Sequence, residues 1–350
     1  MTTQSVFDLS LPELSALLEQ WGYPAFRARQ LWHALYVELV SSFDEITAFP
    51  KALRQTLNSQ LQFGSLQLVT SQKSRDGNTQ KILFALPDGK QIETVLMGYD
   101  ERRTVCFSTQ AGCAMGCVFC ATGQMGFDRN LTVGEIIEQI LWFARQQKLA
   151  QKPLTNLVAM GMGEPFHNYR NVMAALDLTN DPQGFNFGAR RVTVSTVGLV
   201  PGLKKFTADA RRENLAVSLH AASEDLRSEL VPMNARFSLA EILSACREYV
   251  NTSHRRITFE WALIQHKNDS IEQANLLAQH IQDILCHVNI IPLNPTQDYA
   301  GAAATAQSAE QFKEVLARYN IPCTVRVRRG IDIAAGCGQL RKAQAQLAKS

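Results

Sequence analysis

The chain has 350 residues, 46% hydrophobic and 19% charged, with a formal net charge of +3. That composition is globular and gives enough material for one large α/β barrel domain or two smaller domains. It holds no apolar run of roughly 18 residues, the least that spans a membrane, and its N-terminus lacks the basic stretch and long apolar run of a secretory signal. The mild basic excess does not by itself mark a nucleic-acid binder.

Residues 1–62 read as a helical module. Ser10, Pro12 and Glu13 make a helix start signal, and Leu14, Leu17 and Leu18 follow at helical spacing. Gly22 and Pro24 interrupt. A second helix is expected from about Ala25 to Val40, and a third from Lys51 to Asn58 after Pro50. A compact helical module of this kind on an enzyme is expected to bind a macromolecular substrate. Residues 63–100 change to an alternating pattern, with Asp76-Gly77 and Asp88-Gly89 as hairpin signals. This predicts an antiparallel β meander. Glu93 lies on its third strand and, on pattern alone, reads as a solvent-facing carboxylate.

From Val105 strand, loop and helix alternate. Strands are expected at Val105–Thr109, Asn156–Met160, Arg191–Thr196, Leu215–Leu219, Arg256–Leu263, His287–Ile291 and Cys323–Arg328, with helical patterns between most of them. Such alternation implies a parallel sheet with right-handed crossovers. Residues 101–330 are thus expected to form a partial (β/α)6 barrel, with its site at the carboxyl ends of the strands. Residues 331–350 form a tail. Gly161-Met162-Gly163-Glu164-Pro165, Ser195-Thr196-Val197-Gly198, Ser218-Leu219-His220 and Asn294-Pro295 all fall on that rim.

Three of the eight cysteines, Cys113, Cys117 and Cys120, crowd into the loop after the first barrel strand, spaced C-x3-C-x2-C. Three thiolates suit a cubane iron–sulfur cluster with one iron left open. A zinc site would want a fourth ligand, and three unligated core thiols are the remaining reading. No secretion signal accompanies the cysteines, so metal or catalytic thiols in a reducing compartment fit better than disulfides. Basic residues gather in the second half, at Arg190-Arg191, Lys204-Lys205, Arg211-Arg212, Arg255-Arg256, Arg326 to Arg329 and Arg341-Lys342. Sharing one face, they would line an RNA-binding surface.

The cysteine motif resembles that of the radical S-adenosylmethionine (SAM) superfamily. Its continuation Ala121-Thr122-Gly123-Gln124-Met125-Gly126-Phe127-Asp128-Arg129, the segment Met160 to Pro165 and the tail Gly336-Cys337-Gly338-Gln339-Leu340 resemble the RlmN/Cfr family of RNA adenosine methyltransferases. The resemblance covers nearly the whole chain, including Gly22 to Gln30. It implies a [4Fe–4S] cluster on Cys113, Cys117 and Cys120. It implies SAM contacts at Gly163, Glu164, Ser195, Ser218, Leu219, His220 and Asn294, with two SAM consumed per turnover. Cys337 would carry a methyl group from the first SAM. A radical generated from the second would activate that methyl for addition to the adenine ring. Glu93 would remove the ring proton, and Cys106 would release the product by forming a disulfide with Cys337. Cys246, Cys286 and Cys323 keep a core reading. The tail departs from many relatives at Ala334, where they carry an acidic residue, and at Gly336, where they carry alanine.

The resemblance implies methylation of carbon 2 of an adenosine in 23S rRNA, and of the adenosine 3′ of the anticodon in tRNA. Reaction at carbon 8, as in the Cfr branch, is the nearest alternative. A zinc-stabilised RNA-binding protein without catalysis is a distant one. The enzyme is expected to act as a cytoplasmic monomer, off the membrane, with a flavodoxin or ferredoxin as electron donor.

Overall fold

The structure is a computed structural model that describes residues 4–341, so Lys342 and the rest of the expected tail lie outside the described residues. The N-terminal module contains α1 (Leu11–Gln20), α2 (Phe26–His33) and α3 (Lys51–Gln60). Ser10 caps α1 reciprocally with Glu13, as its sequence requires. The second helix differs from expectation. It widens into a π-helical turn over Ala34–Glu38 and ends at Leu39, whose φ is +61°. The cause is tertiary: Lys148 Nζ donates to the carbonyls of Val37 and Glu38, and Arg145 Nε to those of Leu39 and Val40. Side chains of another helix thus take carbonyls that a regular helix end leaves free.

One ten-stranded sheet runs in the order β1, β2, β3, β4, β7, β8, β9, β10, β11, β12. Its first three strands, β1 (Gln67–Lys73), β2 (Thr79–Ala85) and β3 (Gln91–Gly98), are the expected meander. The meander is continuous with the barrel sheet, because β3 pairs antiparallel with β4 (Arg103–Cys106). β7 (Asn156–Ala159), β8 (Val192–Thr196), β9 (Asn214–Ser218), β10 (Ile257–Leu263), β11 (Cys286–Pro292) and β12 (Cys323–Val325) add on in parallel. The ends do not pair with each other, so the barrel is open. A separate hairpin, β5 (Gln110–Gly112) and β6 (Phe127–Asn130), brackets the short helix α4 (Ala121–Gln124). α5 (Val133–Leu149), α6 (Tyr169–Asn180), α7 (Val200–Ala208), α8 (Glu224–Leu230), α9 (Leu239–Ser253), α10 (Ile271–Ile281) and α11 (Ala306–Arg318) follow in order. Among the described residues no helix is long and apolar enough to cross a membrane.

β4 stops short of the expected Thr109. Ser108 N donates instead to Gln139 Oε1 at 2.8 Å, and its hydroxyl to the Glu93 carbonyl at 2.6 Å. The next two amides, of Thr109 and Gln110, both turn to the Met162 carbonyl. These bonds draw the chain off the ladder and aim it at the cysteine loop.

The basic pairs do not share one face. Arg190-Arg191, Arg211-Arg212 and Arg255-Arg256 immediately precede β8, β9 and β10, at the amino ends of the strands. There Arg211 is held by Asp177 and Glu213 at 2.7 and 2.6 Å, and Arg255 by backbone oxygens and Asn214. Arg326, Arg328 and Arg329 follow β12 at the opposite rim, where the site lies.

The N-terminal module is fastened to α5 by two carboxylates. Asp8 accepts from Gly134 N at 2.6 Å, taking a free amide of the helix start. Glu138, buried in α5, accepts from Ser65 N and Oγ, Leu66 N and Ser5 Oγ. Burial lifts its carboxyl to about 7 although these donors pull it down. The unfolded chain loses this proton near 4.5, so between the two values the folded state binds more protons and stability falls as pH rises. Glu138→Gln is expected to flatten that part of a urea-denaturation pH profile. Glu138→Ala, which leaves buried amides unpaired, is expected to cost about 3 kcal/mol.

Candidate active site

The hairpin β5–β6 anchors the cysteine loop, with Cys113 N donating to the Gly126 carbonyl at 2.8 Å. Across the loop, Val118 N donates to the Leu230 carbonyl at the end of α8. Cys113, Cys117 and Cys120 then face a cavity of about 950 Å³, mouth included, over the carboxyl ends of the strands. Gly163, Glu164, Ser195, Ser218, His220, Asn294 and Cys337 line the same cavity. Of the expected cofactor contacts only Leu219 is missing from the lining. Its side chain is fully buried in the core, and its amide donates to the Glu260 carbonyl.

Local physics explains these placements. Gly163 has φ +103°, and a Cβ there would lie 2.8 Å from Gln110 N, so only glycine lets the 161–165 turn cross β5. Glu164 is 4% exposed and accepts from Phe166 N and Val197 N. Burial raises its carboxyl to about 7. His220 Nδ1 accepts from Ala262 N at 2.9 Å, and burial lowers its pKa to about 3, so the ring is neutral. Its edge meets Phe119, with ring centroids 4.8 Å apart.

Within the described residues, the segment from Gly336 to Leu340 is docked on the barrel. Asn294 Nδ2 donates to the Cys337 carbonyl at 3.0 Å, Ala121 N to that of Gly338 at 2.7 Å, and Thr122 Oγ1 to that of Leu340 at 2.6 Å. Gln339 accepts from Gly336 N and donates to the Pro295 carbonyl. Gly336 has a reason here, since a Cβ would come within 2.7 Å of Asn294 Nδ2. Ala334 sits in the left-handed region at φ +50°, which acidic and amide side chains tolerate better than alanine.

Cys337 also lines a second, adjoining cavity of about 610 Å³ with Cys106, Tyr99, Arg326, Arg328 and Arg329. Tyr99 is stacked between Arg102 and Arg329, 4.1 and 4.6 Å from its ring centroid. Cys337 is exposed toward these cavities and Cys106 is buried. Crowding by protein pushes both thiols above the usual range, Cys106 the more strongly. Cys246 and Cys286 are buried as expected, and Cys323 is half-buried.

Glu93 is not solvent-facing. It is 5% exposed because the tail covers its strand. Its carboxylate meets Lys81 Nζ at 2.8 Å and accepts from Arg341 N at 2.9 Å. Burial raises its pKa, with Lys81 opposing. It lines neither cavity. Glu260 was not foreseen, yet it lines the larger cavity at 4% exposure. The one available signal was a carboxylate inside the apolar run Ile257–Leu263.

The donor set fits an iron–sulfur cluster and a polar ligand. Burial pushes the Cys113 thiol up to about 12 and Cys117 well up, and metal coordination is what deprotonates such thiols. Among the described residues no three His, Cys, Asp or Glu side chains are gathered to hold a single ion. A cubane does not ask for that, since each thiolate takes its own iron, whereas zinc draws its ligands to one point. Two cavity-lining oxygens, Asn294 Oδ1 and Glu260 Oε2, are buried without a hydrogen-bond partner among the described residues. They can accept from a ligand's ammonium or hydroxyl groups.

Comparison with known proteins agrees with this geometry. Residues 107–277 match the radical SAM superfamily, and residues 4–62 match the ribosomal RNA large subunit methyltransferase N-terminal domain. The dual-specificity RNA methyltransferase RlmN 1 of Myxococcus xanthus is 48% identical, over 97% of this chain and 95% of its own length. A probable dual-specificity RNA methyltransferase RlmN from Chloroflexus aurantiacus is 47% identical, over 97% and 93%. The crystal structure of a radical SAM methyltransferase from Sphaerobacter thermophilus superposes with a TM-score of 0.95 at 47% identity, covering 97% of this chain and 99% of that one. The chain belongs to the RlmN family of radical SAM methyltransferases.

Proposed function

We propose that the chain methylates carbon 2 of an adenosine in 23S rRNA, and the adenosine 3′ of the anticodon in tRNA. The observation that carries this reading is the position of Cys337, on a wall common to two cavities. One holds the three loop cysteines and suits SAM. The other holds Cys106 and an arginine cluster, and suits an adenosine with its phosphates. A thiol between them can take a methyl group from one side and present it to the other.

Cys113, Cys117 and Cys120 would hold the [4Fe–4S] cluster, and Gly163, Glu164, Ser195, Ser218, His220 and Asn294 would surround SAM, with Leu219 contributing backbone. The cluster supplies the electron that splits the SAM sulfonium. The remaining work falls to side chains. Cys337 loses its proton and gains the methyl group of the first SAM. The methyl carbon, having given up one hydrogen atom to a radical derived from the second SAM, would join the adenine ring; Glu93 then accepts the proton of carbon 2 as the adduct's odd electron would return to the cluster. Cys106, once deprotonated, attacks the Cys337 sulfur, the bond from that sulfur to the carbon breaks, the carbon takes up a proton to become the new methyl group, and a disulfide remains. Glu93 is sealed beneath Arg341, so its role requires the tail to lift when RNA enters. An external one-electron carrier, a flavodoxin or ferredoxin, would reduce the cluster, and the enzyme would work as a cytoplasmic monomer.

Mass spectrometry of RNA modified by the anaerobically reconstituted enzyme is expected to show 2-methyladenosine. Only 8-methyladenosine would overturn the assignment of the ring position. Cys337→Ala should abolish methyl transfer, and Cys106→Ala should accumulate a covalent protein–RNA adduct visible on a denaturing gel. Turnover by either variant at the wild-type rate contradicts its role. Glu93→Gln should slow turnover about 10²–10⁴-fold, the usual worth of a general base, with cluster content unchanged.

A further inference from the structure

Arg227, on α8, is 1% exposed. One terminal nitrogen donates to Asn234 Oδ1 at 2.8 Å and the other to the Val197 carbonyl at 2.6 Å. Its Nε is buried with no hydrogen-bond partner, and among the described residues Arg227 makes no ion pair. Glu224, on the same helix, spends its carboxylate on Leu239 N and Asn234 Nδ2. Arginine does not shed its charge in proteins, and a cation out of water without a counter-charge is strongly disfavoured. A fold that keeps one must supply a negative charge from another source.

The surroundings point to where that charge comes from. Val197, which Arg227 holds, lines the cavity of the three cysteines. Leu226, Leu230 and Val231 pack in one apolar cluster with Cys113, Cys117 and Cys120, and Leu230 takes the Val118 amide of the cysteine loop. Negative charge on Cys117, as a cluster-ligating thiolate carries, would act on Arg227 ahead of that on Glu224 or Cys246. Three thiolates ligating a cluster bring net negative charge into this dry region, and each added electron makes it more negative.

We propose that Arg227 is the built-in counter-cation of the three-cysteine centre, compensating its thiolate charge and raising its reduction potential. This rests on the cluster reading above. Arg227 is a positioning and tuning residue; it holds the carbonyl of Val197, which lines the larger cavity, and itself lines neither cavity.

The test is an EPR-monitored redox titration of anaerobically reconstituted wild type, Arg227→Gln and Arg227→Lys, with iron and sulfide assayed in each. At the wild-type midpoint, Arg227→Gln should hold at least tenfold less reduced relative to oxidised cluster, about 59 mV for a one-electron couple. Arg227→Lys, which keeps the charge, should stay within about threefold. Because Arg227 also braces Val197 and Asn234, a second variant covers the case in which glutamine prevents assembly. Asn234→Asp leaves the arginine in place, gives it a carboxylate, and should move the midpoint the same way. A loaded Arg227→Gln or Asn234→Asp with the wild-type midpoint overturns the proposal alone. A wild type with no iron–sulfur signal overturns the cluster reading and the proposal with it.

Discussion

The site depends on the docking of the 336–341 segment. Cys337 comes from the far end of the sequence, and hydrogen bonds from Asn294, Ala121, Thr122 and Gln339 are what set it between two cavities. Each such bond is worth about 0.5–1.5 kcal/mol net. Together they hold the segment firmly but stay well below the roughly 12 kcal/mol of a nanomolar complex. The energetics therefore allow a bound RNA to exchange these contacts for its own. The same segment closes over Glu93, whose companion Lys81 also donates to the Ala334 carbonyl. Cys337 and Glu93 are thus coupled through one stretch of chain.

Charge is divided between the two ends of the barrel. At the amino ends of the strands, arginines are spent on local carboxylates and carbonyls, as with Arg211 and Arg255. At the carboxyl ends, Arg326, Arg328 and Arg329 stand around the cavity that contains Cys106 and Cys337. Arg329 and Arg102 sandwich Tyr99, which keeps the guanidinium planes ordered near the mouth. A polyanion is drawn to the end where several cations stand together around a cavity. The N-terminal module approaches by a different route, fixed through Asp8 and Glu138 to α5.

Much of this was legible in the residues. Alternation of period gave the meander and the parallel strands, and the rule that sites lie at carboxyl strand ends placed Gly163, Glu164, Ser195, Ser218, His220 and Asn294 around one cavity. What stayed hidden depended on contacts distant in sequence. Glu93 looked solvent-facing because alternation reports two faces of a strand but not which later segment covers them. The π turn at Ala34–Glu38 comes from Arg145 and Lys148, over a hundred positions away. Whether the basic pairs share a surface could not be read from the sequence, because linear clustering says nothing about which end of a strand each precedes. Arg227, between Leu226 and Ser228, belongs to no motif in the sequence, and only its burial marks it.

Cys106 is a buried thiol whose proton is held tightly by the apolar surroundings. A thiol attacks sulfur only as thiolate. Under the roles proposed above, the two thiols that would join late in the cycle already line one cavity in the resting enzyme, yet burial keeps the attacking one protonated. On those roles, idle molecules would be spared a premature disulfide, and reducing power would be drawn only by those that have engaged a substrate.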